Sequence, residues 1–168
     1  MSGLKGRERL QPSLLDRLTD NAPTEKFDPP DQQVLNMAQL RQAVLRDIGW
    51  LLNSTNLSTL MDLSANPRLE KSTVNYGIPG FAGLTESRAV ITTLERQLVE
   101  AIRTYEPRIR PDTLRVKMSG SAASEANPAL VFEISGELWA QPVPIQLFLA
   151  TSFDVETRSA SVAEAKAS

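Results

Sequence analysis

The stretch Tyr105-Glu106-Pro107-Arg108-Ile109 divides the chain into a helical half and a strand-rich half. Pro107 has no amide hydrogen, and its ring disfavours the α region for Glu106, so the helix running up to Tyr105 must stop there. Before this point apolar residues recur every three or four positions; after it they alternate with polar ones. The expected fold class is therefore α+β, with two long amphipathic helices packed on a three-stranded or slightly larger antiparallel sheet. Pro107 also holds Glu106 and Arg108 on a stiff turn. Two readings follow from the residues alone: the charges are presented to a partner with little entropy left to lose, or they cap the helix end and pair with each other or with neighbouring side chains.

In the helical half, Ser13 caps a short segment with Leu14, Leu15 and Leu18 on one side. Residues 21–32 contain Pro23, Pro29 and Pro30 and read as an extended linker, so residues 1–32 form a docking segment and linker. The docking segment packs either on its own domain or on another protein. A first long helix spans about Met37 to Asn53, with an apolar stripe of Leu40, Val44, Ile48, Leu51 and Leu52, a capping box at Asn36 and Gln39, and Arg41, Gln42, Arg46 and Asp47 on the other face. Gly49 inside it costs about 1 kcal/mol relative to alanine, tolerable if a neighbour packs close. Residues 53–83 form a long polar connection in which Gly77 supports a positive φ. The second long helix starts near Thr85, and its stripe is Ile91, Leu94, Leu98, Ala101, Ile102 and Tyr105.

Past the proline, strands are expected around Leu114–Met118, Leu130–Ser135 and Val143–Val155. Residues 119–128 read as a long, mobile connection and 139–142 as a tight one. The far part of the last run, where Thr, Ser and Asp enter, is expected at an edge open to an added strand. Residues 33–155 would be the folded domain and residues 156–168 a disordered tail whose removal leaves stability unchanged.

Composition narrows the chemistry. The chain has no histidine and no cysteine, which excludes histidine-based acid–base catalysis, cysteine nucleophiles, disulfides and thiolate or imidazole metal sites. Its net charge of −2 lacks the basic footprint of a nucleic-acid binder. No apolar run approaches membrane-spanning length, and a soluble, cytoplasmic protein is expected. Arginine outnumbers lysine 13 to 5, a bias towards bidentate contacts.

Several stretches carry a resemblance. Ser13-Leu14-Leu15-Asp16-Arg17-Leu18, Val44-Leu45-Arg46-Asp47-Ile48 with Trp50-Leu51-Leu52-Asn53, Val74-Asn75-Tyr76-Gly77-Ile78-Pro79 and Glu106-Pro107-Arg108 occur in the order and at the junctions seen in one family. On these the chain resembles the baseplate wedge proteins of contractile phage tails and their type VI secretion counterparts, the TssE family. Gly49, the Pro79-Gly80 step and the length of 119–128 depart from its pattern. The resemblance implies a non-enzymatic protein without cofactor or metal, monomeric when isolated. It would assemble with baseplate wedge and contractile sheath proteins at the cytoplasmic face of the inner membrane. It also implies that Glu106, Pro107 and Arg108 engage the sheath together with the C-terminal strands. Leu14, Leu15 and Leu18 would be further interface residues. As exposed interface charges, Glu106 and Arg108 would contribute only about 0–1 kcal/mol to folding.

Two other classes compete. A glycoside hydrolase could cast Glu106 as acid with Asp112 or Asp47 as partner, although Arg108 two residues away works against a proton-holding acid. A small cytoplasmic adaptor would have a complete fold and a binding surface elsewhere.

Overall fold

The computed structural model describes residues 13–19, 23–24, 36–80, 88–124, 127–139, 144–154, 157 and 159–165. Helix α1 (Leu14–Leu18) is capped by Ser13, whose hydroxyl accepts from the Asp16 amide. Helix α2 (Met37–Leu52) begins with the expected capping box: the Gln39 amide donates to Asn36 Oδ1 at 2.9 Å, and the Asn36 amide donates to Gln39 Oε1 at 2.8 Å. The connection after it is partly helical, with the short α3 (Pro67–Glu70) between 3-10 turns at Leu57–Thr59 and Thr73–Asn75. Helix α4 (Arg88–Tyr105) ends as Pro107 requires, its last helical bond running from the Glu106 amide to the Ile102 carbonyl. The expected start at Thr85 lies outside the described residues.

Strands β1 (Arg115–Ser124), β2 (Asn127–Leu138), β3 (Ile145–Asp154) and β4 (Ser159–Glu164) form an antiparallel sheet in the order β1-β2-β3-β4. One face is apolar. Val116, Leu130, Phe132, Ile134, Leu147, Leu149 and Phe153 join the α2 and α4 stripes in a single core, with Phe132 and Phe153 edge-to-face at 5.6 Å. Thr151 is buried in that face, and its hydroxyl donates to the Phe132 carbonyl.

Three expectations for the strand half change. Residues 119–128 are not a mobile connection: β1 pairs with β2 out to Ser124↔Asn127, with a bulge between Met118 and Gly120 that re-sets the register. The far part of β3 is not an edge, because Leu149–Asp154 pairs with β4. Nor are residues 156–168 a disordered tail throughout, since 159–164 form that strand. Ser/Ala composition hides it, because backbone pairing with β3 and contacts from α2 hold it, with Ala160 and Val162 packing half-buried on the core. The Asn53 side chain donates to the Ala160 carbonyl at 2.8 Å and accepts from the Ala160 amide at 2.9 Å, filling an outward-facing position of the edge as another strand would. Arg41 holds the far end through Glu164 and the Gln146 carbonyl. The β1 edge is covered in the same way by Glu95 of α4, which accepts from the Met118 amide. The 139–142 turn lies outside the described residues beyond Trp139, as does the 21–32 linker apart from 23–24.

Truncation after Asp154 strips β4 from the β3 edge, and a melting temperature lower by several degrees is expected; an unchanged melting curve would restore the disordered-tail reading. At Gly49 the expected close neighbour is missing, for an added Cβ meets nothing within 4 Å. Gly49→Ala should therefore stabilise the protein by about 0.4–1 kcal/mol through the unfolded state and helix propensity. Urea denaturation measures it, and a loss of stability would mean the position is not open.

Candidate functional site

The stretches that carry the sequence resemblance converge around one cleft of about 540 Å³. Ser13, Leu14 and Leu15 of α1 line one side, Asp47, Trp50 and Leu51 of α2 another, and Thr73, Tyr76, Tyr105, Glu106 and Arg108 complete it. Their placement follows from local chemistry. The Asn75 side chain ties the middle connection together, accepting from the Ser58 amide and donating to the Glu70 carbonyl. Gly77, at φ +126°, lets the next residue pair with the end of α2, so that the Ile78 amide reaches the Ser54 carbonyl at 2.8 Å and the Asn56 amide reaches the Ile78 carbonyl. Tyr76 is thereby set edge-to-face on Tyr105 at 5.2 Å. The Tyr105 hydroxyl bonds the carbonyls of Ser72 and Asn75, which fixes the end of α4 against the turn. Burial raises the pKa of both phenols, with Asp47 and Glu106 adding to the effect at Tyr76.

Glu106 is only 3% exposed, while Pro107 beside it is exposed. Its carboxylate accepts from Arg108 Nε at 2.6 Å, from Arg108 Nη2 and from the Arg108 amide, closing a ring across the proline. The same Nη2 reaches Asp47 Oδ2. Asp47 Oδ1 in turn accepts from Arg46, and Arg46 Nη1 donates to Asp16 of α1 at 2.5 Å while its guanidinium lies 4.9 Å from the Trp50 ring centre. The result is a chain of alternating charge, Asp16–Arg46–Asp47–Arg108–Glu106, running from α1 to the junction. Burial alone would weaken the Arg108 cation, but the carboxylates of Glu106 and Asp47 outweigh it and raise its pKa. The Arg46 hydrogen bond lowers the pKa of Asp16 against the opposing effect of burial, and Asp16 raises that of Arg46. Within the isolated chain, then, the junction charges pair internally, as the second reading from the sequence has it. They are not free exposed groups. One polar atom is left over: Arg108 Nη1 is sealed from solvent with no hydrogen-bond partner among the described residues.

Leu14, Leu15 and Leu18 are 71%, 46% and 74% exposed. The Asp16–Arg46 pair holds α1 on its own domain, yet its apolar side chains are left largely uncovered. The sequence pattern placed Arg46 and Asp47 on the face opposite the apolar stripe and did not show that they connect α1 to Arg108. An oppositely charged pair beside the apolar stripe of a helix was the available signal. Asp112 pairs with Arg110 on the surface and does not line the cleft. Glu106 and Asp47 share one guanidinium instead of facing each other across a substrate-sized gap, which is not the arrangement glycoside hydrolysis uses. Among the described residues, no group of acidic residues is placed to hold a metal ion and no helix is long and apolar enough to cross a membrane.

A family model described as baseplate wedge protein gp25 matches residues 38–143, from the start of α2 past the end of β2. No curated protein and no solved structure matches the chain.

Proposed function

We propose, from the premise that the chain belongs to the baseplate wedge protein gp25 family, that it is the TssE-type baseplate component of a type VI secretion system, acting in the cytoplasm to link the wedge to the first ring of the contractile sheath and to help nucleate sheath assembly. Family membership makes it a structural component of a phage-tail-like baseplate that assembles with other baseplate proteins. In the narrower reading, Glu106, Pro107 and Arg108 contact the sheath, and Leu14, Leu15 and Leu18 contact a baseplate neighbour. The observation that supports the sheath contact most is the incomplete bonding of Arg108. Anchored on Asp47 and Glu106, it lines the cleft and, among the described residues, keeps its sealed Nη1 without an acceptor, a donor that a partner's carbonyl or carboxylate would satisfy once the side chains sealing it move aside.

Arg108→Lys tests this, because lysine keeps a cation between the two carboxylates but cannot reproduce the planar fork. Fluorescently tagged sheath should assemble at much reduced frequency per molecule of soluble variant. Pull-down of purified sheath subunits should weaken on the order of tenfold or more, as for a lost interfacial charge contact. Normal sheath assembly in a well-expressed Arg108→Lys protein would sink the assignment. A peptidoglycan-clearing assay separates the hydrolase reading, for which clearing by the wild type but not by Glu106→Gln is required.

A further inference from the structure

We propose that α1 is a displaceable cover on the Glu106–Arg108 cleft, and that capture of its exposed leucines by a baseplate partner opens the cleft to a second partner. The inference rests on the function proposed above for these two surfaces and adds that they are energetically coupled. Leu14 and Leu15 line the same cleft as Glu106 and Arg108, so a partner that fills this cleft to reach Arg108 meets α1. Helix α1 is also weakly held. The helix has no buried residue of its own, so lifting it gives up little side-chain burial within α1. Its polar hold on the domain runs through Asp16 to Arg46, and Arg46 keeps Asp47 and Trp50 as partners when Asp16 leaves.

The direction of the coupling follows from the leucines. Leu14 and Leu18 lie one helical turn apart on the same side and are the most exposed of the α1 leucines. A partner that buries both gains apolar area that the cleft does not supply, and it can take Leu15 as well only by drawing α1 off its seat. Because binding free energies are reciprocal, a ligand that enters the cleft and displaces α1 must equally favour capture of the leucines. Assembly would then be ordered: the cleft stays covered in the free chain and opens once the chain is in its wedge.

The absence of cysteine permits a clean test. In the full chain, Asp16→Cys with Arg46→Cys gives an open form when the thiols are alkylated and a closed form when they are joined by a short bis-thiol crosslinker. With purified sheath subunits as the probe, the closed form should bind at least tenfold more weakly than the open form, and the open form severalfold more tightly than wild type. Equal binding by the two forms overturns the cover. If that equality comes with lost binding in Arg108→Lys, only the cover fails; if Arg108→Lys also binds normally, the proposed function fails with it. A second measurement needs no partner. In the wild-type chain the α1 amides of Arg17 and Thr19 should exchange hydrogen orders of magnitude faster than the Leu98 and Ile102 amides of α4, and equal protection would show that α1 does not lift.

Discussion

Glu106→Ala is expected to lower stability by about 3–5 kcal/mol, the range found when one partner of a buried ion pair is removed. The size comes from what is left behind. Glu106 is buried, and Arg108 loses its acceptors for Nε and for its backbone amide along with one of the two acceptors for Nη2. With Nη1 already unpartnered among the described residues, the remaining attraction for the cation comes chiefly from Asp47. For a domain of this size the melting temperature should fall by about 2–4 °C for each kcal/mol. Arg108→Ala should cost a similar amount because it strands the Glu106 carboxylate, and the double variant should cost less than the sum, since each change removes the reason the other hurts. Urea denaturation of the three proteins decides it; a loss below about 1 kcal/mol for Glu106→Ala would return the pair to the exposed class. This replaces the expectation, drawn from the sequence, that the alanine variants fold normally. It also means that sheath defects in Glu106→Ala cells must be divided by the amount of soluble protein before they say anything about contact.

The other large effect is expected at Gly77. A Cβ there would lie 2.3 Å from the Ser54 carbonyl oxygen and 2.9 Å from the Asn56 amide nitrogen, both backbone atoms that no rotamer change can move aside. The φ of +126° adds a cost of about 1–3 kcal/mol for a residue with a side chain, before any clash is counted. Relief requires the turn to move away from α2, which breaks the Ile78–Ser54 and Asn56–Ile78 hydrogen bonds and takes Tyr76 off Tyr105. Gly77→Ala should therefore unfold at markedly lower urea than wild type, and its near-ultraviolet circular dichroism should change as the tyrosine pair loosens. If the variant melts with wild-type stability, the turn is not held in this conformation. Gly49→Ala, chemically the same change, is expected to have the opposite sign, and the difference is entirely one of surroundings.

Much of the local structure is legible in the residues themselves. Pro107 sets the helix end through its missing donor and its effect on Glu106, Asn36 and Gln39 set the start of α2, and the alternation of Leu130, Phe132 and Ile134 sets the inward face of β2. These are effects over a few residues, so neighbours in sequence suffice to decide them. The tertiary structure decided the rest. A Ser/Ala segment becomes β4 because Asn53, 107 residues away, completes its edge and Arg41, 123 residues away, holds its far end. Glu106 changes from an exposed charge to a buried one because α2 brings Asp47 to Arg108 across 61 residues, and Asp16 joins the chain of charge through Arg46. A charged residue's burial and partners depend on which distant element packs over it, and spacing along the chain carries no record of that. The sequence determined the start of α2, the end of α4 and the inward face of β2; only packing determined β4 and that the junction, α2 and α1 share one cleft.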